Sequence, residues 1–141
     1  MENQTSNSED ITTGNQNNPV GWFEIYVDDL QRAQQFYEAV FKVTMQNLAD
    51  PTEGGGIQMI AFTMDPGGPN ASGALVKING FKAGGNSTIV YFSAEDCAVE
   101  EARVEQAGGK IFQKKMSIGE YGFASLCTDT EGNMFGIHSM Q

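Results

Sequence analysis

Glu24 stands between two aromatic residues, Trp22 and Tyr26, each two positions away. Residues two apart share a face of an extended strand, so the three form one row. A carboxylate walled by an indole and a phenol can serve as a general acid or base. It can equally sit hydrated at a rim, hydrogen-bonded to the tyrosine hydroxyl, and that reading asks less of the sequence. The chain has one histidine, His138, three residues from the C-terminus, so a two-histidine site cannot be assembled within one chain. Set across a pocket from Glu24, His138 would complete an acid–base couple; otherwise it is an exposed side chain near the chain end. Cys97 and Cys127 follow no Cys-x-x-Cys spacing and read as reduced, buried, small apolar residues. The glycine runs Gly54–Gly56 and Gly67–Gly68 lie on no strand–loop–helix pattern, so they read as hairpin turns that can act as lids and not as phosphate cradles.

Glu24 needs a strand to hold it. Gly21 to Val27 alternates, with Phe23, Ile25 and Val27 on one face and Trp22, Glu24 and Tyr26 on the other. Asp28 and Asp29 end the strand, and Asp28 with Gln31 reads as a capping pair opening a helix. Apolar residues then fall at Leu30, Ala33, Phe36, Tyr37, Val40 and Phe41, a helical stripe that must be covered. Strands are expected at 44–48, 57–64 and 72–78, separated by turn-rich segments.

The same order then repeats. A strand over 88–94 leads to Glu95 and Asp96, a helix carrying Ala98, Ala102 and Val104, and a stop at Gly108-Gly109. Strands are expected over 110–114, 123–128 and 133–139. Asp29 and Asp96 lie 67 positions apart, as do Trp22 and Ile89, so an internal duplication is the most economical account. This places a single domain at 19–140: module one at 19–78, a linker at 79–87 and module two at 88–140. Residues 1–18, rich in Asn, Gln, Ser and Thr, read as a disordered polar tail. If Phe23, Ile25 and Val27 lie beneath the helix, the opposite faces of the two modules form a concave pocket. Its predicted lining is Trp22, Glu24, Tyr26, Ile89, Tyr91, Ser93, Met134 and Gly136, with His138 on the same side of the last strand.

Composition narrows the partners. A net charge of −10 repels a phosphate backbone, which argues against nucleic acid. No run approaches the roughly 18 apolar residues of a membrane span. The first ten residues have neither a basic nor an apolar run, so a cytoplasmic location is expected. Open sheet edges favour a homodimer.

The string Trp22 to Asp29 with Ala33, Phe36-Tyr37 and Phe41 resembles the first module of glyoxalase/bleomycin resistance/extradiol dioxygenase proteins, the vicinal oxygen chelate superfamily. Tyr91 to Asp96 with Gly108-Gly109 is similar to the second module. Asp129-Thr130-Glu131-Gly132-Asn133 is similar to the family's closing turn, with Thr130 where proline is usual. The resemblance implies an α+β fold: two βαβββ modules forming a cupped mixed sheet with helices outside. It also implies that metal-binding members take ligands from the first and last strands of each module. Those positions fall here on Trp22, Ile89, Gly136 and a residue near Ala74 or Leu75, none of which binds metal through its side chain. No cofactor is expected, and neither is glyoxalase I or extradiol dioxygenase activity, which needs a metal. The expected function is small-molecule binding in the cup. The alternatives are a metal-independent lyase or isomerase using Glu24, and a non-catalytic structural domain whose cup is filled by its own side chains.

Overall fold

The structure, a computed structural model, describes residues 18–50, 56–85 and 87–141. The expected tail, apart from Asn18, lies outside these residues, as do Gly54 and Gly55. Module one contains β1 (Trp22–Tyr26), α1 (Leu30–Phe41), β2 (Gln46–Leu48), β3 (Ile57–Ala61) and β4 (Ser72–Ile78). Module two contains β5 (Val90–Ser93), α2 (Cys97–Val104), β6 (Lys110–Ser117), a 3-10 turn (Gly119–Tyr121), β7 (Phe123–Thr128) and β8 (Met134–Ser139). Each module is the expected βαβββ unit.

The strands form two separate four-stranded sheets, ordered β1-β4-β3-β2 and β5-β8-β7-β6. In both, the first strand runs parallel to the last and the remaining pairs are antiparallel. Alternation predicted most strands well and weakened where the ladder is irregular. The strand expected over 110–114 extends to Ser117, because register shifts at Ile111/Gln113 and Gln113/Met116 break its period-two pattern.

Alternation also decides the core. Ile25, Val27, Phe36, Tyr37, Val40, Leu75, Phe135 and Ile137 are all buried. Helix α1 serves both modules: Phe36 meets Phe135 edge-on with centroids 5.8 Å apart, and Phe41 stacks on Phe92 at 4.4 Å. Tyr37 touches Phe62 of module one and Phe92 and Phe135 of module two. The halves therefore share one aromatic core and cannot be separated without exposing it. Where α2 ends, Gly109 must be glycine, since a Cβ there would collide with the Thr128 carbonyl and the Phe36 ring.

The helix N-cap differs from expectation. Asp29 caps α1, accepting from the Arg32 amide at 3.0 Å. Asp28 has other work, accepting from the Ala83 amide of the linker at 3.1 Å.

Glu131, from the closing turn of module two, reaches the start of α1. Its carboxylate is fully shielded and accepts from the Asp28 and Asp29 amides, at 3.1 and 2.9 Å. It also accepts from Arg32 Nε and Nη2 at 2.7 and 2.9 Å, and from Thr130 Oγ1 at 2.9 Å. Thr130, where proline is usual, thus supplies a donor that proline lacks.

Burial is the strongest single influence on Glu131 and disfavours its charge, yet the bonds from Arg32, the Asp29 amide and Thr130 together outweigh it. Its carboxyl is held down at about 2. A depressed folded-state pKa stabilises fully above the ordinary glutamate value of 4.5 and loses that contribution as pH falls from there toward 2. Glu131→Gln is therefore expected to flatten the acid limb of stability, read as urea midpoints at about pH 6 and about pH 3. Glu131→Ala should cost about 2 kcal/mol at neutral pH by the same measurement, because it strands charge-assisted donors.

Candidate functional site

A cavity of about 480 Å³ lies between β1 and the β5–β8 pair. It exists because β1 and β5 belong to different sheets, so no ladder of hydrogen bonds closes the seam between them. Ile25, Tyr37, Val90 and Phe135 line it from the core side. Glu24, Tyr26 and Met134 line it from the opposite strand faces. Gly80, Phe81, Lys82 and Gly84 of the linker and Thr88 just beyond it complete the wall.

Two fixed points hold the linker there. The Ala83 amide donates to Asp28, and the Gly84 amide donates to Asn133 Oδ1 at 2.7 Å. Phe81, though more than half exposed, stacks on Tyr26 with centroids 5.2 Å apart and planes 24° from parallel. Gly80 and Gly84 have φ values of +92° and +84°, a conformation that L side chains enter only with strain.

The row predicted on β1 forms a hydrogen-bonded unit. Trp22 Nε1 donates to one Glu24 oxygen at 3.2 Å, and the Tyr26 hydroxyl donates to the other at 3.0 Å. Burial, followed by the Glu24 carboxylate, raises the Tyr26 pKa, so its phenol remains a donor at neutral pH. Beneath the cavity, buried Tyr37 donates to Asp129 Oδ2 at 2.7 Å. Asp129 in turn organises its own turn by accepting from the Glu131 and Asn133 amides at 2.7 and 2.9 Å.

The predicted site residues therefore separate. Glu24, Tyr26 and Met134 come together at the cavity. Trp22 lines a neighbouring hollow with Val20, Met64 and Pro66. Ile89, Tyr91 and Ser93 are exposed beside the cavity and do not line it, and Gly136 is covered by the Tyr91 ring. His138 Nε2 lies 2.7 Å from the Tyr121 carbonyl, to which it donates, and is not hydrogen-bonded to Glu24. Phe81, Lys82 and Thr88 were not anticipated from sequence. The available signal was Phe81 itself, a lone large apolar side chain in a polar, glycine-rich linker.

The chain matches the family described as the Glyoxalase/Bleomycin resistance protein/Dioxygenase superfamily over residues 20–137. No match is found among curated proteins. Among solved structures, glyoxalase I from Zea mays is similar at a TM-score of 0.67 and 18% identity, over 84% of this chain and 43% of the maize chain. This chain thus spans less than half of that enzyme's length. An antibiotic-binding protein from a Streptomyces species is similar at 0.65 and 20% identity, over 89% of this chain and 98% of the other. A hypothetical protein from S. aureus is similar at 0.62 and 14% identity, over 89% and 99%. At these identities the likenesses establish the fold.

The strand registers identify the last-strand positions at which that family's metal-binding members carry ligands. Tyr91 pairs with Gly136, and Glu24, its counterpart 67 positions earlier, pairs with Ala74. Ala74, and not Leu75, is therefore the module-one position. Trp22, Ala74, Ile89 and Gly136 offer no metal-ligating side chain, and among the described residues no group of three or more His, Cys, Asp or Glu could hold an ion. The residues do not fit the family's metal. At Gly136 the space is taken as well, since a Cβ there would fall on the Tyr91 ring. The Gly136 Hα protons are accordingly expected upfield in an NMR spectrum, under the ring current of Tyr91. Tyr91→Ala should abolish that shift. Gly136→Ala should drive the half-exposed ring into solvent at a cost of about 1 kcal/mol in urea denaturation.

Proposed function

The chain belongs to the glyoxalase/bleomycin resistance protein/dioxygenase superfamily, and from that premise we propose that it binds a small molecule, without a metal, in the cavity between its modules. The observation that carries this reading is the cavity itself. Its volume of about 480 Å³ suits a small organic ligand. Its walls combine apolar Ile25, Val90, Met134 and Phe135 with a few polar groups from Glu24, Tyr26 and Lys82. An apolar body would be held by burial and its orientation set by those groups. The similar fold of a protein that binds an antibiotic supports the same use of the scaffold.

A second reading, a metal-independent lyase or isomerase, draws on the Glu24–Tyr26 pair at the cavity wall. Both Glu24 oxygens are engaged by donors, so general-base work would first require one of those bonds to open. Binding needs no such step. Strands β2 and β6 end their sheets, and Phe112 and Met116 on β6 are exposed. An unpaired edge carrying apolar side chains supports a homodimer.

Native mass spectrometry of protein purified from its own host should show the chain with a retained small molecule and no metal. Met134→Trp, which fills the cavity from β8, should lose that adduct while keeping the wild-type circular dichroism spectrum. An adduct that survives Met134→Trp would place the ligand elsewhere. Turnover abolished by Glu24→Gln with binding retained would favour the enzyme.

A further inference from the structure

Resting on the cavity reading above, we infer that the ligand is an organic ammonium: an aryl or similarly flat apolar body carrying a positively charged nitrogen that meets Glu24. Glu24 is the only carboxylate lining the cavity among the described residues, and its orientation is set from both sides. Trp22 Nε1 and the Tyr26 hydroxyl each donate to one of its oxygens. An ionised carboxylate accepts about four hydrogen bonds, so two well-placed lone pairs remain for a ligand N–H. Bonds of that kind, with both partners charged, are about twice as strong as neutral ones.

The surroundings of Glu24 favour a cation further. The stacked Tyr26 and Phe81 rings stand on the same cavity wall, and ring faces attract ammonium groups. Ile25, Val90 and Phe135 on the core side and Met134 opposite are apolar, and the Tyr37 hydroxyl between them is already given to Asp129. The protein as a whole carries a net charge of −10, and a field of that sign concentrates cations at its surface.

Lys82 is the counter-argument, because its side chain also lines the cavity. Lys82 and Glu24 are both exposed, so exposure does not separate them. Lys82 differs in standing on the linker with a four-carbon stem, which lets its ammonium stay in water while the methylenes cover apolar surface. Glu24 has no such freedom, held between two aromatic donors on a strand. Of the two charges, Glu24 is the one whose orientation is set by hydrogen bonds, from Trp22 and Tyr26.

The test holds the hydrocarbon constant and varies the charge. 2-Naphthylmethylamine, 2-naphthalenemethanol and 2-naphthoate are titrated into the full chain by isothermal calorimetry. The protonated amine is expected to bind about tenfold or more tighter than the alcohol, with naphthoate weakest. Glu24→Gln should remove the amine's advantage over the alcohol. Naphthoate binding as tightly as the amine, or lost on Lys82→Gln, would overturn the inference and assign the site to anions. If none of the three binds, the cavity reading itself fails, which is a different result from a wrong charge preference.

Discussion

The buried carboxylate of Glu131 is the contact on which the arrangement of the two modules depends. It belongs to the last turn of module two but accepts from the Asp28 and Asp29 amides, which immediately precede the helix of module one. A helix N-terminus carries a partial positive charge, which an anion placed beside it meets. Arg32, in the first turn of α1, closes on the same carboxylate with two bonds. The neighbouring residues extend the clamp. Asp129 receives the Tyr37 hydroxyl, and Asn133 donates to the Tyr26 carbonyl while accepting from Gly84. One five-residue turn thus touches the first strand, the first helix and the linker.

That turn also accounts for the cavity. The two sheets share no ladder, and a seam between sheets would ordinarily close by collapse of side chains. Here the ends are tied at a set separation by polar contacts, while Tyr37 is anchored at the bottom by Asp129. Phe36, Phe41, Phe92 and Phe135 fill the volume beneath. Above them the linker is pinned at Ala83 and Gly84 and cannot pack down further. Space is left between a rigid floor and a tethered roof, and Glu24 faces it from a strand.

The loss of metal-ligand side chains has structural counterparts. At the last-strand position of module two, Tyr91 lies over Gly136, so an aromatic ring occupies the room that a ligand side chain would need. On the core face of module one, Phe23 lies over Gly73 in the same manner. In both modules a first-strand ring covers a last-strand glycine. Of these two glycines only Gly136 stands at an expected metal-ligand position, its module-one counterpart being Ala74.

The order of elements, the apolar stripe of α1 that had to be covered and the side chains at the four expected metal-ligand positions were all legible in the sequence, whereas the sharing of one aromatic core by both modules was not. Each legible feature rests on a local rule: period two in β1, period 3.6 in α1, and the chemistry of single side chains. The Glu24 row was legible too, since residues two apart on a strand must share a face. Which members of a face line the cavity was not, because that depends on how far the sheets stand apart. Trp22 and Glu24 share one face of β1, yet they line different hollows. Phe81 looked like part of a loop and became a wall, and Asp28 looked like a helix cap and became a linker anchor. Those outcomes rest on contacts between residues far apart in the chain, Asp28 with Ala83 and Glu131 with Arg32. Sequence periodicity carries no term for such contacts. The sequence by itself determined the modules and the chemical groups available to them; tertiary structure decided the gap, because the shared aromatic core and the polar contacts of the closing turn together set how the two halves meet.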